Sequence, residues 1–219
     1  KPEDIIAFYQ FTDIIDDKEK FDKEHGSKDD YKEWDNPYYG FPQMIRFAFN
    51  PNESARRVIE QLKEQGKSAQ LNELFRPQSI SKDNSAEKKH RHFIHEKEIL
   101  DLLQVIDGSA EDENLLGFLN YDKLKEGKMC RHMVFVLPFC ASCDAMAKLL
   151  SDNKEQFINL NEYEIVNISG VENNFASTEE IKLHIELLEN QGKKSITLTV
   201  NRMLTGSTVK YWDTMLFLK

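Results

Sequence analysis

MVFVLPFCASCDAMAKLL, at residues 133–150, carries the strongest structural signal in this sequence. Its first five residues form an unbroken apolar run, which predicts a strand buried on both faces. The residues from Ala141 to Leu150 then have the apolar spacing of a helix, which follows the turn at Pro138. A buried strand that leads directly into a helix is typical of an α/β domain with a parallel sheet.

The same alternation continues towards the C-terminus. Three further strands are predicted, at residues 163–168, 195–200 and 214–218. Before the second of these, Ser177 or Thr178 can cap a helix that Gly192 ends. Because crossovers of about 10–15 residues join parallel neighbours, we expect a mainly parallel sheet with helices on both faces.

The N-terminal half is predicted to be mostly helical. Carboxylates outnumber lysines between Asp13 and Asp35, which favours a solvated or mobile connector. Apolar spacing predicts a strand at residues 44–49 and helices at residues 54–65, 71–75, 92–106 and 115–125. The chain therefore divides into a connector (residues 1–40), a first strand with a helical insertion (41–127) and the α/β domain (128–219), which we expect to be truncated at its C-terminus.

Composition restricts the classes of function. The chain has 219 residues and a net charge of −9, which argues against nucleic-acid binding over its whole surface but leaves room for a local site. No apolar run is long enough to span a membrane, so we expect no membrane partner. Three cysteines are too few for a disulfide framework and indicate a reducing compartment, so a cytoplasmic location is predicted.

Two cysteines suggest a redox alternative. Cys140 and Cys143 follow a predicted strand and open a helix, as the two thiols of thioredoxin-like proteins do. That fold also needs a cis-proline further along the chain, and no proline follows Pro138. We therefore expect small, buried or half-buried side chains at this turn, with a thioredoxin-like redox protein kept as an alternative.

Other apparent motifs have simpler explanations. Gly66-Lys67-Ser68 resembles the end of a phosphate-binding loop, but Gln61 occupies the place of the first glycine, so a helix end is expected. Residues 102–107 mimic a magnesium-binding strand, but their spacing is that of an amphipathic helix. The remaining candidates are zinc ligands, for which we expect no metal: His90, His92, His95, His132 and Cys130. The first three are expected at a solvated helix start.

Residues 201–213, NRMLTGSTVKYWD, lie between the last two predicted strands. A Thr205-Gly206 turn at the carboxyl end of a parallel strand exposes backbone N–H groups where ligands bind, and the glycine allows a phosphate to approach closely. The segment resembles motif V of superfamily-2 helicases and translocases, most nearly that of the motor subunit of type I restriction enzymes. Two residues depart from that pattern, because Thr208 stands in place of an acidic residue and Lys210 in place of a proline.

Residues 133–150 resemble motif IV of the same families, in which the N-terminus of a helix faces a phosphate. Together the two motifs imply that residues 128–219 are a second RecA-like domain, from an ATP-dependent DNA translocase or helicase of a restriction system. The resemblance implies phosphate contacts from Ser142, Thr205 and Gly206, with Arg202 as a weaker candidate.

The resemblance also implies cofactors and partners for the parent protein. ATP and Mg²⁺ would bind between two RecA-like domains, and the partners would be DNA, the missing first domain and other restriction–modification subunits. No Walker loop or arginine-finger motif is present, so we expect this chain to hold no cofactor, to have no catalytic residue and to be inactive alone. The sequence leaves RNA open as a substrate. It also leaves open a non-catalytic protein-interaction domain that uses residues 54–126.

Overall fold

The computed structural model describes residues 11–25, 60, 64, 71–79, 89–109, 130–204 and 209–219. The chain divides into two compact units, Lys1–Arg56 and Arg57–Lys219. In the first unit the described residues form one helix, α1 (Phe11–His25). The acidic stretch predicted as a connector therefore contains a helix, and an ion pair between Lys20 and Glu24 spans one turn of it.

The second unit contains a sheet of four strands, all parallel, in the order β2-β3-β1-β4. The strands are β1 (His132–Val136), β2 (Tyr163–Asn167), β3 (Lys194–Thr199) and β4 (Thr214–Phe217). Every residue of β1 is buried, as the unbroken apolar run predicted. The predicted α/β architecture with a parallel sheet is thus confirmed.

Four α-helices of this unit have described bounds: α2 (Leu71–Leu74), α3 (Glu96–Asp107), α4 (Cys140–Asp152) and α5 (Thr178–Asn190). The helix predicted from residue 92 begins four residues later, because Phe93 forms an antiparallel bridge with Pro77. Gly108 ends it in the left-handed conformation, with φ 83°. Residues 60 and 64 are helical, whereas the rest of the helix predicted at 54–65, the strand at 44–49, the helix at 115–125 and Gly66-Lys67-Ser68 lie outside the described residues.

Helices cover both faces of the sheet. Met133 and Phe135 of β1 and Leu198 of β3 pack with α4 in a cluster that also holds Phe75 and Phe93. On the opposite face, hereafter the α5 face, Val166 and Ile168 pack against the apolar residues of α5. The alternation of side chains along each strand explains why successive residues join different clusters.

The helix of the second long crossover begins as its sequence predicted. Ser177 caps α5, since its hydroxyl accepts the N–H of Glu180 at 3.1 Å, and the Glu180 carboxylate accepts the N–H of Ala176 at 2.9 Å.

Asp107 lies at the end of α3 and is fully buried. Its carboxylate accepts the N–H groups of Ile158 (2.8 Å), Asn159 (2.9 Å) and Leu160 (2.6 Å). Residues 102–107 belong to α3, so they are helical, as predicted.

Candidate functional site at the carboxyl edge of the sheet

Three turns meet at one edge of the sheet, because β1, β2 and β3 are parallel neighbours. Leu137 donates its N–H to the carbonyl of Thr199 at 2.8 Å, and Ile168 donates to the carbonyl of Leu198 at 3.1 Å. The hydroxyls of Ser169 and Thr199 are 3.0 Å apart. The start of α4 and the turn after β3 therefore emerge on the same side, which is the arrangement that a shared phosphate track requires.

The turn after β3 is held from two sides. Inside it, the hydroxyl of Thr199 donates to the carbonyl of Arg202 at 2.9 Å, and Met203 is buried with φ 65°. From outside, the ammonium group of Lys219 donates to the carbonyl of Val200 at 3.0 Å and to the side-chain oxygen of Asn201 at 2.7 Å. Thr205 and Gly206 follow directly in the sequence but lie outside the described residues.

Arg202 connects this turn to the one that follows β2. Its guanidinium donates to the carbonyl of Ile168 at 2.9 Å and to the carbonyl of Phe175 at 3.3 Å. Because these bonds hold the guanidinium on protein carbonyls, Arg202 links the turn after β3 to the turn after β2.

Ser142 lies in the first turn of α4 with its side chain fully buried. Its hydroxyl donates to the carbonyl of Phe75 at 2.7 Å, so it ties α4 to the segment around α2. Phe139 precedes the helix with an extended backbone and gives no side-chain cap. A phosphate at this helix end would therefore meet the backbone N–H groups of the first turn, chiefly those of Cys140 and Ala141.

Asp144, further along α4, organises the turn after β2. Its carboxylate accepts the side-chain N–H of Asn167 at 2.8 Å and the backbone N–H of Val171 at 2.8 Å. The side-chain oxygen of Asn167 in turn accepts the N–H of Gly170 at 2.7 Å. Sequence reasoning missed this cluster, although an Asn-x-x-Gly sequence that begins at the last residue of a strand is a signal for such a turn.

His90 was expected at a solvated helix start, and that prediction is wrong. The side chain is buried because residues 89–91 form a short 3₁₀-helix packed against α4. Its Nε2 lies 3.7 Å from Oδ2 of Asp144 and 3.6 Å from Oε1 of Glu172. No hydrogen-bond partner of that nitrogen is present among the described residues.

Arg91 also connects the segment before α3 to the carboxyl edge of the sheet. Its Nε donates to Oε2 of Glu172 at 2.9 Å, and its terminal nitrogen contacts the same oxygen. The segment before α3 is therefore anchored to the turn after β2. Within the described ranges, no group of three or more histidine, cysteine or carboxylate side chains is placed to hold a metal ion.

The two thiols of the Cys-x-x-Cys sequence differ in environment. Cys140 is exposed at the start of α4, whereas Cys143 is buried, and both are free thiols. Burial is the main reason that the pKa of the Cys143 thiol is raised well above its usual range, with smaller contributions from Cys140 and Asp144. In a thioredoxin-like mechanism the exposed Cys140 would be the attacking thiol, so the burial of Cys143 does not decide between the structural and the redox interpretation.

A serine, a histidine and a glutamate also meet at the opposite edge of the sheet. Nδ1 of His132 is 2.8 Å from the hydroxyl of Ser195, and Nε2 is 3.0 Å from Oε2 of Glu189. The contacts from serine to histidine to glutamate resemble those of a hydrolase triad, but Ser195 is completely buried between strands. No substrate can reach its hydroxyl, so these residues fasten α5 to β1 and β3.

Comparison with known proteins gives one relative to report. A Mycoplasma pneumoniae protein named "Putative type II restriction enzyme and methyltransferase RM.MpnORF110P C-terminus" is 28% identical over 150 residues, which are 67% of this chain and 20% of that protein. The chain thus spans about a fifth of the length of this relative. No family model matches the chain, and no solved structure matches it. No helix in the described part of the chain is long and apolar enough to cross a membrane.

Proposed function

We propose that this chain is part of an ATP-dependent DNA translocase or helicase of a restriction system, acting in the cytoplasm. In this proposal the carboxyl edge of the sheet contacts the phosphate backbone of DNA. The contacts come from backbone N–H groups at the start of α4 and from Thr205 and Gly206.

One observation carries the proposal: β1 and β3 are parallel neighbours, with Val134 paired to Thr197. The helix that follows β1 and the turn that follows β3 therefore leave the same edge side by side. Two adjacent donor groups can contact successive phosphates of one strand. The net charge of −9 is compatible with this arrangement, because backbone amides and a hydroxyl need no excess of lysine or arginine.

The relative supports the choice of DNA and of a restriction system. Its printed name describes a restriction enzyme and methyltransferase, and the matched segment is 150 residues long. The name gives a type II enzyme, whereas the motif at residues 201–213 is nearer to type I motor subunits. We therefore propose a restriction-related motor without assigning the type.

ATP and Mg²⁺ belong to the parent protein in this proposal. The sequence has no Walker loop, since Gln61 stands where the loop around Gly66-Lys67-Ser68 would need glycine. Nucleotide would bind between this domain and a first RecA-like domain, and this chain would supply one wall of the cleft. ATP hydrolysis there would supply the energy for movement along DNA.

The test is a pair of substitutions in the parent protein, Thr205→Ala and Ser207→Ala. Each removes one hydroxyl from the same stretch of sequence, but only Thr205 is a proposed phosphate contact. A lost hydrogen bond to a charged phosphate costs about 1–3 kcal/mol, so we expect Thr205→Ala to weaken DNA binding about 5- to 150-fold and to reduce DNA-stimulated ATP hydrolysis. Ser207→Ala should leave both unchanged. Equal behaviour of the two variants would contradict the proposed site.

A further inference from the structure

Lys219 holds its ammonium group against the turn that follows β3. The residue is exposed, and its two hydrogen bonds go to neutral oxygens, the carbonyl of Val200 and the side-chain oxygen of Asn201. Because β1 lies between β3 and β4 in the sheet, Lys219 crosses the end of β1 to reach these oxygens. An ammonium group has three N–H donors, so one donor has no partner among the described residues.

Lys219 also differs from the cations at the other edge of the sheet. At the amino edge, Arg131, Lys193 and Lys194 each form an ion pair with a glutamate. Within the described part of the chain, neither Lys219 nor Arg202 forms such a pair, and Arg202 donates to backbone carbonyls. Two positive charges therefore lie at the turn after β3, although the chain as a whole has a net charge of −9.

The turn after β2 has the opposite balance of charge. The carboxylates of Asp144 and Glu172 lie there, and the guanidinium of Arg91 is already paired with Glu172. A phosphate backbone that approached this turn would meet two carboxylates, and like charges repel. The charges at the carboxyl edge therefore favour a path over the ends of β3, β1 and β4, away from the end of β2.

We propose that Lys219 binds a phosphate of DNA at the carboxyl edge, so that the DNA backbone passes over the ends of β3, β1 and β4. This inference rests on the proposed function and adds a charged group to it, since the contacts proposed there are backbone N–H groups and a hydroxyl. The bonds to Val200 and Asn201 hold the ammonium group in place, which reduces the side-chain entropy that binding costs. A lysine that neutralises a phosphate releases counterions, so this contact makes DNA binding depend on salt.

The test measures the affinity of the parent protein for a DNA duplex at several salt concentrations, beside the Thr205→Ala variant. We expect Lys219→Gln to weaken binding about 5- to 20-fold and to reduce the slope of log K against log [salt] by about 0.9. Lys219→Arg keeps the charge and should stay close to wild type in both measurements. The matched control is Lys193→Gln, which removes the same charge at the amino edge and should change neither.

Asn201→Asp separates a phosphate contact from a purely structural role of Lys219. The new carboxylate would replace the oxygen to which the ammonium group donates at 2.7 Å, so it would hold the lysine more firmly and neutralise its charge. If Lys219 binds phosphate, Asn201→Asp should weaken DNA binding about as much as Lys219→Gln, while the Tm stays constant or rises. The same substitution at Asn190, which is exposed at the end of α5, controls for the added negative charge.

The outcomes distinguish this inference from the proposed function. Wild-type affinity in Lys219→Gln or Asn201→Asp, together with weaker binding in Thr205→Ala, would overturn the contact at Lys219 alone. Equal losses in Lys219→Gln and Lys193→Gln would also overturn it, because they would show a general effect of charge. An effect of Lys219→Gln on ATP binding instead of DNA binding would assign the ammonium group to a nucleotide phosphate. Wild-type protein that does not bind DNA would overturn the proposed function and this inference with it.

Discussion

A Cβ atom placed on Gly170 would lie 2.1 Å from Oδ1 of Asp144. The same atom would lie 2.2 Å from the side-chain nitrogen of Asn167. Neither side chain can move away easily, because Asp144 is buried and each holds the other by a hydrogen bond of 2.8 Å. The turn after β2 is therefore closed around a carboxylate, and only glycine fits at its centre.

Gly170→Ala should consequently lower the free energy of unfolding by about 2–3 kcal/mol, measured by denaturant titration. Gly192→Ala is the matched control. Gly192 has φ +70°, and an added Cβ there would have no atom within 4 Å. Gly192→Ala should therefore lower the free energy of unfolding by only about 1 kcal/mol, because alanine is strained in the left-handed conformation. A cost for Gly170→Ala no greater than that of the control would show that the turn tolerates expansion.

Glu189 should make stability depend on pH. Its pKa lies below the ordinary value of 4.5, chiefly because Arg131 donates hydrogen bonds to it at 2.8 and 3.1 Å, with a further contribution from His132. A carboxylate with a lowered pKa stabilises the fold above the unfolded pKa and loses that effect as the pH falls through the folded value.

We therefore expect wild type to be more stable than Glu189→Gln at pH 7, with the difference shrinking below about pH 4.5. Urea unfolding at several pH values measures this difference in the free energy of unfolding. Glu164→Gln is the control, because Glu164 pairs with Lys193 at an exposed position and its effect should be smaller. A difference for Glu189→Gln that stays constant from pH 7 to about pH 3 would mean that the carboxylate is not stabilised by its partners.

The cysteines should react with alkylating reagents at different rates. Cys140 is exposed, whereas burial shields Cys143 and Cys130 and raises the pKa of both, that of Cys130 to about 11. Peptide mapping after treatment with iodoacetamide near neutral pH should find Cys140 modified first and the other two only after unfolding. Cys140→Ser should remove the fast phase. Alkylation of Cys140 that stays fast down to about pH 6, or reduction of insulin by the chain, would favour the redox alternative.

The purified chain should not hydrolyse ATP, because it lacks the loop that cradles nucleotide phosphates. A coupled assay on repurified protein measures this. Lys67→Ala belongs in the same experiment, since Lys67 lies in the partial match at Gly66-Lys67-Ser68. Turnover that survives repurification and disappears in Lys67→Ala would mean that this segment binds nucleotide after all.

The sheet could be predicted from the sequence because its signals are local. The predicted and observed bounds of β1, β2, β3 and β4 differ by at most one residue at each end. An unbroken apolar run specifies a buried strand whatever lies around it, and Ser177 with Glu180 specifies a helix start from four neighbouring residues.

Contacts between distant residues could not be predicted in this way. His90 and Asp144 are 54 positions apart, and nothing near His90 in the sequence shows that it becomes buried against α4. The bridge between Pro77 and Phe93 likewise moved the start of α3 to Glu96, because a backbone pairing outweighed the helical spacing. Thr205 and Gly206 remain predictions, since they lie outside the described residues.

The position of β1 in the sheet also affects how the protein is made. This strand is wholly apolar apart from His132, and it pairs with β3 and β4, which come much later in the chain. His132 and its partner Ser195 are 63 positions apart. At a synthesis rate of about 5–20 residues per second, β1 leaves the ribosome roughly 3–13 s before β3 exists to pair with it. During that interval its backbone and side chains are open to other nascent chains, so we expect chaperones that bind extended apolar segments to raise the yield of folded protein.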